Sequence, residues 1–120
     1  MNLTEKQKEL LNRRKVVALA TASKDADPQV TFVEINLVED DDLVFTDNQM
    51  TTARNNILEN GKVVLMAFEQ DYGYCLKLFG TAQYHTGGER FEYVKHLADN
   101  EGFSPRAAVV ITIEHVIEFS

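Results

Sequence analysis

Apolar and polar residues alternate along this chain with two periods, and each change of period marks an element. Thr4 followed by Gln7 is a capping-box pattern, so a helix is expected from there to about Arg14, with Leu10 and Leu11 facing a core. Residues 16–22, VVALATA, read as a buried strand, and the Asp-rich stretch 23–28 reads as a turn. Over residues 30–38, Thr31, Val33, Ile35 and Leu37 fall on one face, and Val30, Phe32, Glu34, Asn36 and Val38 on the other. That is the period of a strand with one face in a core. Its second face mixes large apolar side chains with Glu34 and Asn36, which points to contact with something other than bulk water.

Residues 39–42 predict a hairpin tip and 43–46 the returning strand. A short helix is expected over 51–60, stopped by Gly61 just past its end. Strands follow at 63–68 and 74–84 across a turn at 69–73. After Gly87-Gly88 a longer helix is expected, with Phe91, Val94, Leu97 and Ala98 on one face and Gly102 as its stop. Residues 107–113 form a last buried strand, which 114–120 either continue or leave as a tail. Strands joined mostly by short turns predict a mainly β, α+β fold: an antiparallel sheet or small barrel flanked by short helices. With 120 residues and no internal repeat or linker, the chain is expected to form one domain over 1–120.

Charge narrows the function classes. The chain carries 12 basic and 19 acidic residues, a net charge of -7, with no Lys or Arg between Lys24 and Arg54. Nucleic-acid binding needs several cations on one surface. The cluster Arg13-Arg14-Lys15, with Lys6 and Lys8 upstream, instead reads as the solvated end of a helix. No nucleic-acid partner is expected. No apolar run approaches the roughly 20 residues that span a bilayer, so no membrane association is expected either. Charge precedes any apolar signal region at the N-terminus, and a lone cysteine suits a reducing compartment. A cytoplasmic location follows as the expectation.

Side-chain chemistry is sparse. Cys75 falls in a strand with no histidine near it in sequence and reads as a packed thiol. His85, His96 and His115 are scattered, and no pair has metal-ligand spacing; Asp40-Asp41-Asp42 lacks the pattern of a calcium loop. No metal site and no catalytic side chain are expected. The stretch Thr46-Asp47-Asn48-Gln49-Met50-Thr51-Thr52-Ala53-Arg54 runs from a strand end into a helix start. A helix N-terminus offers free N–H groups and partial positive charge to a phosphate, which two threonine hydroxyls and Arg54 could complete. The alternative is that Thr51 merely caps the helix and Arg54 lies in solvent.

As a set these segments resemble the FMN-binding split barrels related to pyridoxamine-phosphate oxidases. The resemblance rests on residues 16–21, the turn ending at Pro28, and strand 30–38; then on Thr51-Thr52-Ala53-Arg54-Asn55-Asn56-Ile57, Gly73-Tyr74, Gly80-Thr81-Ala82-Gln83-Tyr84 and the segment from Arg106 to Thr112. It implies a six-stranded antiparallel Greek-key split β-barrel that forms a homodimer and holds FMN, or FAD or another flavin, near the subunit interface. The phosphate would meet Thr46, Thr51, Thr52 and Arg54. The flavin ring would lie along Phe32, Val33, Glu34 and Ile35, with Asp47, Asn48 and Met50 nearby. Partner-chain contacts would come from Phe103 to Arg106 and from Phe119. Many relatives carry a lysine near the start of the short helix, where this chain has Thr51-Thr52-Ala53, so Arg54 is the candidate cation. The resemblance implies an electron-transfer protein or flavin-dependent oxidoreductase with an unidentified redox partner. The acidic ending, residues 114–120, argues against vitamin B6 oxidation itself. The alternatives are a reductase using FAD or a deazaflavin, and a non-catalytic module, including one that binds haem through a histidine.

Overall fold

The computed structural model describes residues 2–120. The capping box opens α1 (Glu5–Arg13): Gln7 N donates to Thr4 Oγ1 at 3.1 Å, and Thr4 N to Gln7 Oε1 at 2.9 Å. Leu10 and Leu11 are fully buried where this helix plugs the barrel. The remaining elements follow in the order β1 (Val16–Ala22), β2 (Pro28–Glu34), β3 (Leu37–Glu39), β4 (Asp42–Asp47), α2 (Thr52–Glu59), β5 (Lys62–Phe68), β6 (Cys75–His85), α3 (Glu89–Lys95), a 3-10 turn (Ala98–Asn100) and β7 (Ala107–Phe119).

One seven-stranded antiparallel sheet runs β2-β1-β5-β6-β7-β4-β3. Its two edge strands, β2 and β3, are consecutive in the chain and separated only by Ile35 and Asn36. The sheet must therefore curl until its edges nearly meet. Ile35 N donates to the Lys15 carbonyl at 2.7 Å, whereas the next amide, Asn36 N, donates to the Val44 carbonyl at 2.8 Å. Successive residues thus pair with opposite ends of the sheet. The expected single strand over 30–38 is corrected to two strands, and the expected six strands to seven, because one extended run changes partners midway. Pro28, expected in the turn, opens β2 on the sheet's free edge, where its missing N–H costs nothing.

One further expectation is revised, and one open alternative is resolved. The helix after Gly88 ends at Lys95, short of Leu97 and Ala98; the Asn100 side chain donates to the Val94 carbonyl at 2.7 Å and so satisfies an acceptor freed by that ending. The final strand continues unbroken to Phe119. Inside the barrel Val17, Leu19, Phe45, Leu65, Leu78 and Ile111 are all at most 1% exposed and form the core with α1. Helix α2 seats Ala53, Asn56 and Ile57 inward, and Asn56 Nδ2 donates to Thr21 Oγ1 of β1 at 2.9 Å. That bond fixes where the helix starts relative to β2.

Candidate functional site

The barrel is split where β2 leaves it. In an antiparallel pair alternate residues exchange main-chain bonds with the neighbour. Because Ile35 N is bonded to Lys15, the same phase pairs Val33 and Thr31 with β1, and turns the main-chain groups of Phe32 and Glu34 away from it. Those groups line the free edge of β2. Opposite them, β4 beyond Val44 has lost β3 as a neighbour. A cleft of about 460 Å³ fills the gap, a volume typical of small-molecule sites. Its walls are β2 on one side and the turn from Asn48 to Thr51 with the start of α2 on the other; Asp99, Asn100 and Phe103 close one end.

A chain of neutral polar groups forms its floor. Thr46 Oγ1 donates to Asn36 Oδ1 at 2.6 Å and accepts from Asn100 Nδ2 at 2.9 Å. Asn48 Nδ2 donates to Asn100 Oδ1 at 3.2 Å. The other end of that amide, Asn48 Oδ1, is buried without any hydrogen-bond partner. An orphaned buried acceptor costs about 1–3 kcal/mol. Thr51 makes no side-chain cap, contrary to the capping alternative, and Asn55 N is the first amide bonded within α2. The amides of Thr52, Ala53 and Arg54 are therefore free of intrahelical partners.

The charged residues of the same segment face elsewhere. The Asp47 side chain is fully buried and accepts from Tyr84 Oη at 2.5 Å, Met50 N at 2.7 Å and Arg106 Nη2 at 2.8 Å. Arg106 Nη2 also donates to the Met50 carbonyl. Arg54 Nε donates to Tyr84 Oη at 3.1 Å, lies 4.0 Å from Asp47 Oδ2, and sets its guanidinium over the Tyr84 ring. Burial pushes the Tyr84 pKa up and the bond to Asp47 raises it further, while Arg54 pulls the other way. This cluster locks the turn from Asp47 to Met50 against β6 and β7.

The structure thus divides the candidate residues into groups. Phe32, Val33, Glu34, Thr46, Asn48, Met50, Thr51, Thr52 and Phe103 line the one cleft. Asp47, Arg54 and Arg106 stand behind its wall as a cluster of their own. Ile35 is buried in the barrel core. Phe119 sits opposite Cys75 at the end of β7, outside the cleft of its own chain. Gln29, Thr31, Asn36, Gln49, Ala53, Asp99 and Asn100 complete the lining. Of these Asn36 carried a local signal, as a polar residue in an apolar strand, and Gln49 and Ala53 lie in the strand-to-helix stretch already singled out. None of His85, His96 or His115 lines the cleft; among the described residues no cluster of three or more His, Cys, Asp or Glu could hold a metal ion.

The ring of a flavin carries an N–H donor and carbonyl acceptors along one edge. The free edge of β2 and Asn48 Oδ1 complement both, and the amide and hydroxyl floor suits a polyol chain. For a terminal phosphate the cleft offers the hydroxyls of Thr51 and Thr52 and the first amides of α2, with no lysine or arginine side chain among its lining residues.

Comparison with known proteins fits this geometry. A family model described as pyridoxamine 5'-phosphate oxidase matches residues 3–120. No curated protein matches the chain significantly. Among solved structures, HupZ from Group A Streptococcus is 24% identical with a TM-score of 0.87, covering 98% of this chain and 94% of that one. An FMN-binding protein from Syntrophomonas wolfei is 17% identical with a TM-score of 0.78, covering 97% and 85%. The haem storage protein HutZ from Vibrio cholerae is 15% identical with a TM-score of 0.72, covering 99% and 94%. At these identities the likeness carries the fold.

Proposed function

The chain belongs to the pyridoxamine 5'-phosphate oxidase family, and from there we propose that it is a flavin-binding redox protein that works as a cytoplasmic homodimer. The observation that carries this reading is a cleft lined both by the free edge of β2 and by Asn48, whose Oδ1 has no partner. Together they offer an acceptor and a row of main-chain groups at the place where a flat heterocycle would slide between two strands. Similarity to an FMN-binding protein of the same fold supports the ligand class.

A bound flavin would supply the redox chemistry, accepting and passing on a hydride or single electrons. The chain's own part is positioning. Phe32 and Glu34 present main-chain groups from the β2 edge, and Val33 backs the cleft from the inner face of the strand. Asn48, held by Asn100, would accept from the ligand, and Met50 shields the cleft from the Asp47 cluster behind it. Histidine, cysteine and lysine are missing from the lining, so the ionisable groups at hand are Glu34 and Asp99. The histidines lie away from the cleft, which favours a flavin over a haem there: His115 packs against Phe79 on the outer sheet face, and His96 sits at the end of α3.

The outer sheet face supports the homodimer. One register row runs Phe32, Ala18, Met66, Lys77, Ile117 across five strands, and the next runs Val30, Ala20, Val64, Phe79, His115. Phe32 is 72% exposed and Val30 67%. Large apolar residues flanking small alanines make a broad, flat surface, and patches of this kind mark interaction sites. Phe32 belongs both to this face and to the cleft, so a second copy seated there would border the ligand.

The test is the visible spectrum of freshly purified protein, with mass-spectrometric identification of the small molecule it releases. Flavin bands are expected. A Soret band would overturn the proposal, as would a colourless protein that leaves the fluorescence of added riboflavin and FMN unquenched.

A further inference from the structure

Resting on the flavin reading, we infer that the cleft selects against a terminal phosphate, so that it binds a dephosphorylated flavin at least as tightly as FMN. The phosphate of FMN carries about -1.5 to -2 charges near neutral pH. The charged residues that line the cleft are both acidic, Glu34 and Asp99, and no cationic side chain is among them. What its floor offers instead is neutral. Asn36, Thr46, Asn48 and Asn100 form a connected run of amide and hydroxyl groups, able to donate to and accept from the hydroxyls of a sugar-alcohol chain.

The arginines that could have supplied a cation are committed. Arg106 is bound to Asp47 and to the Met50 carbonyl, and Arg54 to Tyr84. The Asp47 carboxylate is fully buried, and these are the guanidinium groups that compensate it. Turning Arg54 to a phosphate would strip Tyr84 Oη of its donor and move a positive charge away from a buried negative one. The Thr51 and Thr52 hydroxyls and the helix end remain, but with no ammonium or guanidinium among the lining residues they leave most of the phosphate charge uncompensated. A net charge of -7 on the chain adds long-range repulsion of the same sign.

The experiment titrates protein freed of co-purified small molecules with riboflavin and with FMN, reading flavin fluorescence, at low and high salt. The same titrations are run on Thr52→Lys and Gln49→Lys, exposed positions on the cleft wall. Riboflavin is expected to bind at least as tightly as FMN, with FMN gaining as salt screens Glu34 and Asp99. Either lysine variant should tighten FMN about tenfold relative to riboflavin, the gain of one charge-assisted contact. FMN binding tenfold tighter than riboflavin to the unmodified chain, and weakening with salt, would overturn the inference while leaving the flavin reading intact. Failure of both ligands to bind would instead overturn the flavin reading, and this inference with it.

Discussion

Asp47→Ala is the substitution whose outcome the structure specifies most fully. The carboxylate is fully buried and accepts three hydrogen bonds, from Tyr84 Oη, Met50 N and Arg106 Nη2. Bonds to a charged group are worth about 1.5–3 kcal/mol each, but that sum overstates the loss. The side chains of Arg106 and Arg54 are 44% and 38% exposed, so water re-solvates them once the carboxylate is gone. Removing a buried charge also relieves its own desolvation cost. The Met50 amide and the Tyr84 hydroxyl have no such relief. Counting about 1 kcal/mol for each of these two donors gives a net destabilisation of about 2 kcal/mol. For a domain of this size that is roughly 8 °C in Tm. The assay is urea unfolding at fixed protein concentration, since association would otherwise shift the midpoint. Arg90→Ala is the control: it breaks ion pairs to Glu39 and Asp42 on the surface, at 2.9 and 3.4 Å, and should cost under about 1 kcal/mol. If Asp47→Ala unfolds no more easily than Arg90→Ala, the cluster does not anchor the turn and the account of the cleft's rear wall is wrong.

Other outcomes follow from single positions. Gly80 sits at the β-bulge between β6 and β7, where an added Cβ would lie 2.4 Å from the Thr112 carbonyl oxygen; Gly80→Ala should cost about 1–3 kcal/mol in the same urea assay, and a neutral result would mean the bulge relaxes freely. The Tyr74 hydroxyl is buried without a hydrogen-bond partner, and burial first and Glu118 second push its pKa up to about 12. The unfolded chain ionises this group near pH 10, so its contribution is complete below about pH 10 and is lost as pH rises towards about 12. At most about 2–3 kcal/mol is involved at about 1.4 kcal/mol per pH unit. The wild type should lose stability over that range more steeply than Tyr74→Phe, and equal slopes would count against the assignment. Finally, Met66→Lys combined with Ile117→Lys places two more charges on the outer sheet face and should give a monomer by sedimentation; an unchanged mass would move the dimer contact elsewhere.

Much of this architecture is legible in the residue pattern, and what is not has a common cause. Thr4 and Gln7 announce α1, and Gly61, at φ +79, ends α2 where a left-handed residue is needed. Alternation over residues 30–35 correctly separates inward Thr31, Val33 and Ile35 from outward Val30 and Phe32, because side-chain period reports burial directly. Beyond Ile35 the phase flips: Val38 packs on the barrel core, while Leu37, expected there, packs in a second cluster with Val44 and Val94. Alternation says nothing about which strand receives the main-chain bonds, and so the change of partner at Ile35 and Asn36 leaves no trace in it. The Asp47–Arg54 neighbourhood shows the same limit. Spacing puts both residues at one strand-to-helix turn, but their orientation is set by Tyr84, on β6. Asp99, Asn100 and Phe103 reach the cleft only because α3 stops early, and Asn100 itself helps stop it.

That change of partner also explains why the site lies where it does. Main-chain donors and acceptors must be satisfied somewhere, and an open strand edge leaves a row of them for water, another chain or a ligand. A barrel closed strand to strand would offer none. Here Ile35 and Asn36 carry the chain across from one end of the sheet to the other, closing the barrel at one height and forcing it open at the next. The open stretch exposes the Phe32 and Glu34 main chain, and facing it β4 contributes Thr46 and then the turn pinned by Asp47. Closure and opening are one geometric event, so the cleft cannot be filled by small adjustments of side chains. Pairing β2 directly with the end of β4 would require Ile35 N to give up Lys15, or Asn36 N to give up Val44, bonds of 2.7 and 2.8 Å on which the curl of the sheet depends. The binding site is in this sense a consequence of the topology, and the side chains that line it, among them Glu34, Asn48, Thr52 and Asp99, decide only what it holds.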